Sequence, residues 1–400
     1  MCHDLQNYYH LRRSVGIRTD AIRYLYHRFK EPESHQYNAN RYNFVYELHR
    51  ARGLHFSDQR DRVYAWLGHF SFRGLNTQLS SLQADYSKPL TDVYVDLARR
   101  ALLGEKDNSD GTALITLAAV QHISQPSSSK ASQFGDGSYV QLGFGLPTWV
   151  PDWRVFQSFI LSEPISPFRA HGTSTSKLEL LERSSLLLRI HGLEIDSIEA
   201  SSTIFPGGIF TSQAKNETIN TLWHQVCCHD HFELSTQYIN DESAFFAFMQ
   251  TLAYGCAQIA MREKVPYNEV SPSTWLEHAA LYLTGAMPDS AMIDLDVRKI
   301  AQKAMETIIV EQWSRCAGGA TENRVFARTR KGYYVLGPKT TEPGDIVCVL
   351  YGGKLPFILR PWGESHYLLV GECYVHGLMH GEAMGMSKAD EAVEKVFDII

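Results

Sequence analysis

No CxxC pair, no run of apolar residues long enough to cross a bilayer and no cluster of basic residues occurs in this 400-residue chain. The seven cysteines, Cys2, Cys227, Cys228, Cys256, Cys316, Cys348 and Cys373, make an odd set at irregular spacing. Such a set predicts free thiols in a reducing compartment rather than a disulfide framework. A membrane-spanning helix needs ~18 apolar residues, and none is present. The opening MCHDLQNYYHLRR lacks the apolar centre of a secretion signal. The expectation is a soluble, cytoplasmic protein with no membrane partner. The formal net charge is −6, and Arg328, Arg330 and Lys331 stand alone, so no nucleic-acid partner is expected.

Catalytic signatures are missing too. No phosphate-binding GxxxxGK, no GxGxxG after a strand, no GxSxG elbow and no HExxH is found. Gly143-Phe144-Gly145 runs straight into Leu146-Pro147 and cannot open a dinucleotide-binding helix. No cofactor and no catalytic residue is expected.

What is present is a well-filled globular composition: 44% hydrophobic, 20% charged and 12% aromatic residues, including 20 Tyr and 7 Trp. Four hundred residues exceed one ordinary core, so two or three packed units are expected. In SDQRDRVYAWLGHF, Ser57 or Asp58 can cap a helix whose apolar face is Val63, Tyr64, Trp66 and Leu67, with Gly68 as its stop. In ADYSKPLTDVYVDLARRALL, Pro89 suits a first turn, and Leu90, Val93, Tyr94, Leu97, Ala98 and Ala101 recur at helical spacing. A third apolar helix is expected from Thr112 to Ile123.

A Ser/Gly-rich loop, 124–138, then leads to LPTWVPDWR, where Pro147 and Pro151 enforce an extended path and Trp149 and Trp153 are anchors. Strand character enters at 184–201, helical character returns from 215 to 316, and five short apolar runs follow between Gly and Pro turns. Those runs, Val325–Thr329, Tyr333–Leu336, Ile346–Tyr351, Leu355–Leu359 and Tyr367–Tyr374, predict a meander or small barrel whose glycines turn the chain.

The fold expected is α+β. An N-terminal helical region (1–123) is followed by a Trp/Pro-rich connector (124–154) and a β segment (155–214). An inserted helical segment (215–316) precedes a C-terminal antiparallel β-barrel or meander (317–385) and a terminal helix or tail (386–400). The strand near 186–198 should join those at 324–376 in one β unit, because a lone meander buries too little.

Two polar clusters merit weighing. His224, Cys227, Cys228 and His231 in WHQVCCHDHFE could in principle close a tetrahedral zinc site. The adjacent cysteines suit an amphipathic helix with small core residues better. His376 and His380, with Glu382 beyond, have a metal-pair spacing only on a helix, which Gly377 and Gly381 oppose. Among the acids, Asp61 beside Arg60 and Arg62, and Asp152 beside Arg154, read as caps and ion-pair anchors. Asp58 and Asp85 complete the set of candidate carboxylates.

Several ordered stretches resemble the fungal heterokaryon incompatibility (HET-domain) family. DQRDRVYAWLG (58–68), ADYSKPLTDVYVDLAR (84–99), LPTWVPDWR (146–154) and LLLRIHGLEIDSIEA (186–200) are similar to successive family blocks. The stretches Arg328 to Tyr333, Gly337-Pro338, Pro343 to Leu350, Pro356 to Pro361 and Val370 to Gly377 resemble its C-terminal block. The resemblance marks Asp58, Asp61, Arg62, Tyr64, Asp85, Tyr86, Trp149, Pro151, Asp152, Trp153, Gly344, Asp345, Gly371 and Glu372 as structural motif residues. Trp66 departs from the family's Leu, and His380 stands where its pattern has Asp.

The motifs of the HET core itself are not found, so the resemblance implies a downstream body lacking that core, through a short gene model, an alternative start or a true loss. That core is similar to TIR domains, whose chemistry is NAD⁺ cleavage or signalling by association, and no catalytic residue of it can be carried over. The expected function is non-enzymatic recognition or regulation in fungal self/non-self discrimination and the associated cell death, with a protein partner. The alternatives are an accessory protein or enzyme of a secondary-metabolite locus, or a remnant without activity.

Overall fold

The structure is a computed structural model that describes residues 20–33, 38–73, 77–105, 112–124, 145–181, 187–210, 217–256, 271–307, 312–388 and 392–400. The Ser/Gly-rich loop expected at 124–138 lies almost wholly outside the described residues.

The fold is α+β. The N-terminal region contains α1 (Asp20–Phe29), then three helical pieces of four to seven residues, α2 (Ala39–Tyr42), α3 (Phe44–Arg50) and α4 (Asp61–Tyr64). Further single turns, α5 (Phe70–Arg73) and α6 (Thr77–Ser80), precede the long helix α7 (Leu90–Glu105). In α7 five of the six residues expected at helical spacing, Val93, Tyr94, Leu97, Ala98 and Ala101, are buried, and Leu90 at its start is half-buried.

Helix α4 is shorter than its apolar pattern suggests. Past Tyr64 the bonds tighten to i→i+3, with Trp66 N donating to Val63 O (3.0 Å) and Leu67 N to Tyr64 O (3.3 Å). Asp58 does not cap α4. It closes a turn two residues on, accepting from Arg60 N at 2.9 Å. The helix expected over 112–123 is a 3₁₀ turn (Thr112–Leu114) and the single turn α8 (Ile115–Ala118). Its apolar residues are buried on every side, so they lack the periodic polar face of a longer surface helix.

Nine strands among the described residues join in one sheet. They are β1 (Leu178–Leu180), β2 (Leu188–Ser201), β3 (Arg324–Thr329), β4 (Tyr334–Pro338) and β5 (Ile346–Leu350). The remaining four are β6 (Phe357–Trp362), β7 (His366–Glu372), β8 (Tyr374–Val375) and β9 (Val393–Ile399). All five apolar runs of 325–374 are therefore strands. The earlier strand β2 joins them through β3 and β5 (Ile198↔Thr329, Leu193↔Val349), as expected of a segment with no other partner.

Strand β2 is the hub. It pairs with β9 along Leu188–Glu194 and with β5 along Gly192–Ser197, while β5–β6–β7 form a meander. Because β7 also pairs with β9, the pairings close in a circuit β2–β5–β6–β7–β9. Leu193, Ile195, Val347, Val349, Ile358 and Val370 fill one buried cluster with residues of β3, β4 and β8.

The strands expected at 186–198 and 324–376 pair antiparallel throughout, and the sheet gains a parallel pairing from β9, which lies outside that range (His366↔Asp398, Tyr367↔Ile399). One expectation is overturned. The terminal segment 386–400 is not a helix or tail. Its residues Val393–Ile399 form β9, which buries Phe397 and Ile399 and turns Glu394 and Val396 outward. That alternation has a period of two, but only two inward residues carry it.

The inserted segment comprises α9 (Glu217–Thr221) running into a π turn (Leu222–Val226), then α10 (Ala244–Leu252), α11 (Pro272–Ala286), α12 (Leu295–Thr307) and α13 (Gln312–Thr321). Helix α14 (Glu382–Lys388) follows β8. The inserted helices bury Trp223, Phe245, Phe248, Trp275 and Trp313 with Phe326, Leu336 and Tyr374 of the sheet. The N-terminal helices instead bury Tyr94, Trp149 and Trp153 with Ile190, Cys348, Leu359 and Phe397. The β unit thus carries a separate helical layer on each of two surfaces, and no described helix is long and apolar enough to cross a membrane.

Candidate functional site

The motif residues come together in four places. The first joins the DQRD and DYSK stretches. Tyr86 donates its hydroxyl to Asp61 Oδ1 (2.5 Å), Tyr64 donates to Asp85 O (3.0 Å), and the two tyrosine rings meet edge to face at 5.2 Å. Arg60 bridges them: its guanidinium binds both oxygens of Asp58, donates to Tyr86 O and lies 5.3 Å from the Tyr86 ring centre. Arg62 donates to Gln59 Oε1 (2.7 Å) and Arg52 O (3.0 Å). The Arg60 contacts hold the Asp58 carboxyl below its ordinary range, and Ser87, through its hydroxyl and N–H, does the same for Asp85.

The second is the LPTWVPDWR segment. Trp149, Pro151 and Trp153 are buried, and Asp152 holds Arg154 in a two-point ion pair (2.8 and 2.7 Å). Arg52 of the N-terminal region, buried, lies 4.7 Å from the Trp153 ring centre and donates to Val155 O and Ala119 O. Burial lowers the Arg52 pKa to about 9. Arg52 has no motif to announce it, and only its contacts reveal it.

The third lies at the turn before β5. Gly344 adopts φ +93, where a side chain is disfavoured. The next residue, Asp345, is 1% exposed and accepts from Arg360 Nε (2.7 Å), Arg360 Nη2 (2.9 Å) and Glu342 N (2.9 Å). The fourth is at the end of β7. A Cβ on Gly371 would meet Pro338 Cγ at 2.9 Å. Its neighbour Glu372, 3% exposed, accepts from Leu161 N and from Ser162 N (2.9 Å), with Arg324 Nη2 at 3.5 Å. Burial pushes the Glu372 carboxyl up while Arg324 opposes it, and burial lowers Arg324. Glu372 thereby ties the irregular 160s to the sheet. Each buried motif carboxylate is consumed by a cation and by backbone N–H groups.

At the Gly352-Gly353-Lys354 turn the cation is engaged in the same way, since Lys354 is buried and donates to Ser166 O at 2.8 Å. The His/Cys cluster is not brought together. Cys227 is buried, and burial raises its thiol pKa. Cys228 is exposed at φ +62 with Arg328 Nη2 3.6 Å from its sulfur, and His231 is exposed. His224 lies 3.8 Å from Asp230. Among the described residues no three His, Cys, Asp or Glu side chains group as a metal site.

A cleft of about 430 Å³ opens where α10 and α11 face the loop after β8. Its walls include Phe246, Trp275 and Tyr374, and its polar lining includes Glu242, Gln250, His376 and Glu382. His376 is buried, with Nε2 2.6 Å from Glu242 Oε2 and Nδ1 3.1 Å from the Tyr374 hydroxyl. This pairing, with Asn240 Nδ2 at 2.8 Å, holds the Glu242 carboxyl below its ordinary range. His380 does not join His376. Its backbone N–H binds Glu382 Oε2 (2.7 Å) and its ring packs on Phe168. The size suits a small ligand or a side chain. Glu242, Gln250 and Trp275 come from distant stretches with no motif, and the lone Gln in AFFAFMQTL was the one available signal.

Residues 282–393 match the family model described as the Het-6 beta-barrel domain. A stretch of 66 residues is 38% identical to Heterokaryon incompatibility protein 6, OR allele, of Neurospora crassa. That match covers 16% of this chain and about a tenth of the Neurospora protein's length. No solved structure matches the chain. The chain carries a Het-6 beta-barrel domain. By these two matches it is similar to proteins of the heterokaryon incompatibility family. The matched range begins inside α11 and ends at the first residue of β9, whereas the circuit of pairings also requires β2 and all of β9.

Proposed function

We propose that this chain is a non-enzymatic recognition and regulatory body acting in fungal non-self recognition and the cell death that follows incompatible fusion. One observation carries the reading. The buried carboxylates that mark the family, Asp345 and Glu372, are locked to Arg360 and Arg324 inside the fold, where they hold segments together. A general acid or base needs a proton it can exchange with a substrate, and these groups face none. What the family pattern specifies is then a shape, which is the requirement of a protein that is recognised by, or recognises, another protein. The partner proposed is a HET-type protein in the cytoplasm.

The test is to induce the chain in hyphae of a fungus with a working incompatibility system and to score dead fusion cells with a vital dye. Induced hyphae should survive alone, and the frequency of death on fusion with an incompatible strain should change. Death without fusion, or a frequency identical to that of uninduced hyphae, would overturn the proposal.

A further inference from the structure

We propose that the cleft between α10, α11 and the loop after β8 binds an organic cation bearing N–H donors, a guanidinium or ammonium group on an apolar stem. The inference is independent of the incompatibility reading, because it rests on the lining of the cleft alone. Among its described lining residues are two carboxylates and no Lys or Arg. Glu242 uses only Oε2, shared by His376 and Asn240, and its side chain is 41% exposed. Glu382 uses only Oε2, for His380 N, and is exposed at the start of α14.

Gln250 supplies the second, independent observation. It is 4% exposed, lines the cleft, and its buried carboxamide oxygen meets no hydrogen-bond donor among the described residues. A buried acceptor left unmet is costly, and a ligand N–H would satisfy it. Three acceptor sites with no Lys or Arg in the lining, and Glu242 Oε1 and Glu382 Oε1 beyond the contacts described, favour a donor-rich positive group. Trp275 and Phe246 add aromatic surface that attracts such a cation and covers its stem. A carboxylate or phosphate ligand would meet two like charges and no Lys or Arg, and His376 is already paired with Glu242.

The same chemistry reaches the cleft either as a free small molecule or as an Arg side chain of a protein. Titration calorimetry with two probes separates the sources: agmatine, and the tripeptide acetyl-Gly-Arg-Gly-amide. The citrulline tripeptide, equal in shape and neutral, is the control. The expected result is binding of at least one guanidinium probe and at least tenfold weaker binding of the citrulline peptide. Agmatine binding as tightly as the peptide assigns a small-molecule site, and tighter peptide binding assigns a protein side chain. Gln250→Leu and Glu382→Gln should each weaken the binding roughly tenfold, the scale of a hydrogen bond to a charged group. Glu382 is exposed, so its variant folds even if the buried Gln250 replacement does not. Equal affinity for citrulline, binding unaffected by Glu382→Gln, or no heat from either guanidinium probe at millimolar concentration would overturn the proposal.

Discussion

Both oxygens of Asp345 are taken by Arg360, and Arg360 also reaches Thr340 O (2.8 Å) and Glu342 Oε1 (3.1 Å). Breaking a buried pair strands the remaining charge, at a cost of about 3–5 kcal/mol. Asp345→Asn should fall at the low end of that range in urea unfolding, since Thr340 and Glu342 still serve the guanidinium. The double replacement Asp345→Leu with Arg360→Met should be less destabilised than the sum of the two single changes, and strict additivity would contradict a paired role. Trp153→Ala should cost roughly 3–5 kcal/mol, the scale for an emptied aromatic site. It also removes the ring under Arg52, and an unchanged thermal midpoint would mean that the segment is not core.

His69 gives a pH signature at the same scale. Ser71 N donates to its Nδ1 (3.2 Å) and its Nε2 lies 2.7 Å from Arg28 O, an arrangement that fits the neutral ring. Burial lowers its pKa from 6.5 to about 4. The unfolded chain therefore takes up the proton first as pH falls. The stability His69 contributes is full above its unfolded value and is lost as pH falls from about 6.5 toward 4. His69→Gln should flatten the plot of thermal midpoint against pH in that window. An unchanged slope would place the acid sensitivity elsewhere.

Among elements, the glycines illustrate two separate demands. Gly344 has open space around a would-be Cβ, so Gly344→Ala should cost about 1 kcal/mol through its φ of +93 alone. Gly371→Ala adds the 2.9 Å encounter with Pro338 and should cost more. Reversal of that order in denaturation midpoints would contradict the packing described. Deleting β9 should open the circuit, expose the edges of β2 and β7 and produce oligomers on size-exclusion chromatography. A monodisperse, cooperatively folded truncation would show that β9 is dispensable.

The elements differ in how legible they were. Helix α7 and the five apolar runs were readable because each has one strong period and clear Gly or Pro boundaries. Strand β9 was not, because charges fall on both of its faces: Glu394 points outward, and half-buried Lys395, which donates to Glu194 at 2.8 Å, shares the side of Phe397 and Ile399. Its parallel partner β7 leaves no mark in local sequence.

For the molecule as a whole, the resemblance to HET proteins was legible from ordered blocks, and the α+β class followed from the order of periodic segments. The joining of β2 to strands more than a hundred residues later could be argued only because a lone strand must find a partner. The cleft was not legible. Glu242, Gln250, Trp275 and Glu382 sit on different elements, and only the packing of the inserted helices on the sheet brings them to one cavity. The roles of Arg52, Arg324 and Arg360 were hidden for a similar reason, since a charge beside an apolar run does not say which distant carboxylate, carbonyl or ring it meets.

The central claim of the proposed function is that the motif's polar residues build a recognition body and perform no chemistry. The most direct measurement is nicotinamide release from NAD⁺ incubated with the purified chain, compared with Asp152→Asn and Glu372→Gln variants and a heat-killed control. Glycosidic cleavage needs an acid placed beside a developing cation in a site closed to water, and the motif carboxylates described here are already bound within the fold. The predicted result is no release above the heat-killed control for any of the three proteins. Release by the unsubstituted chain that falls when either carboxylate is replaced would contradict the claim.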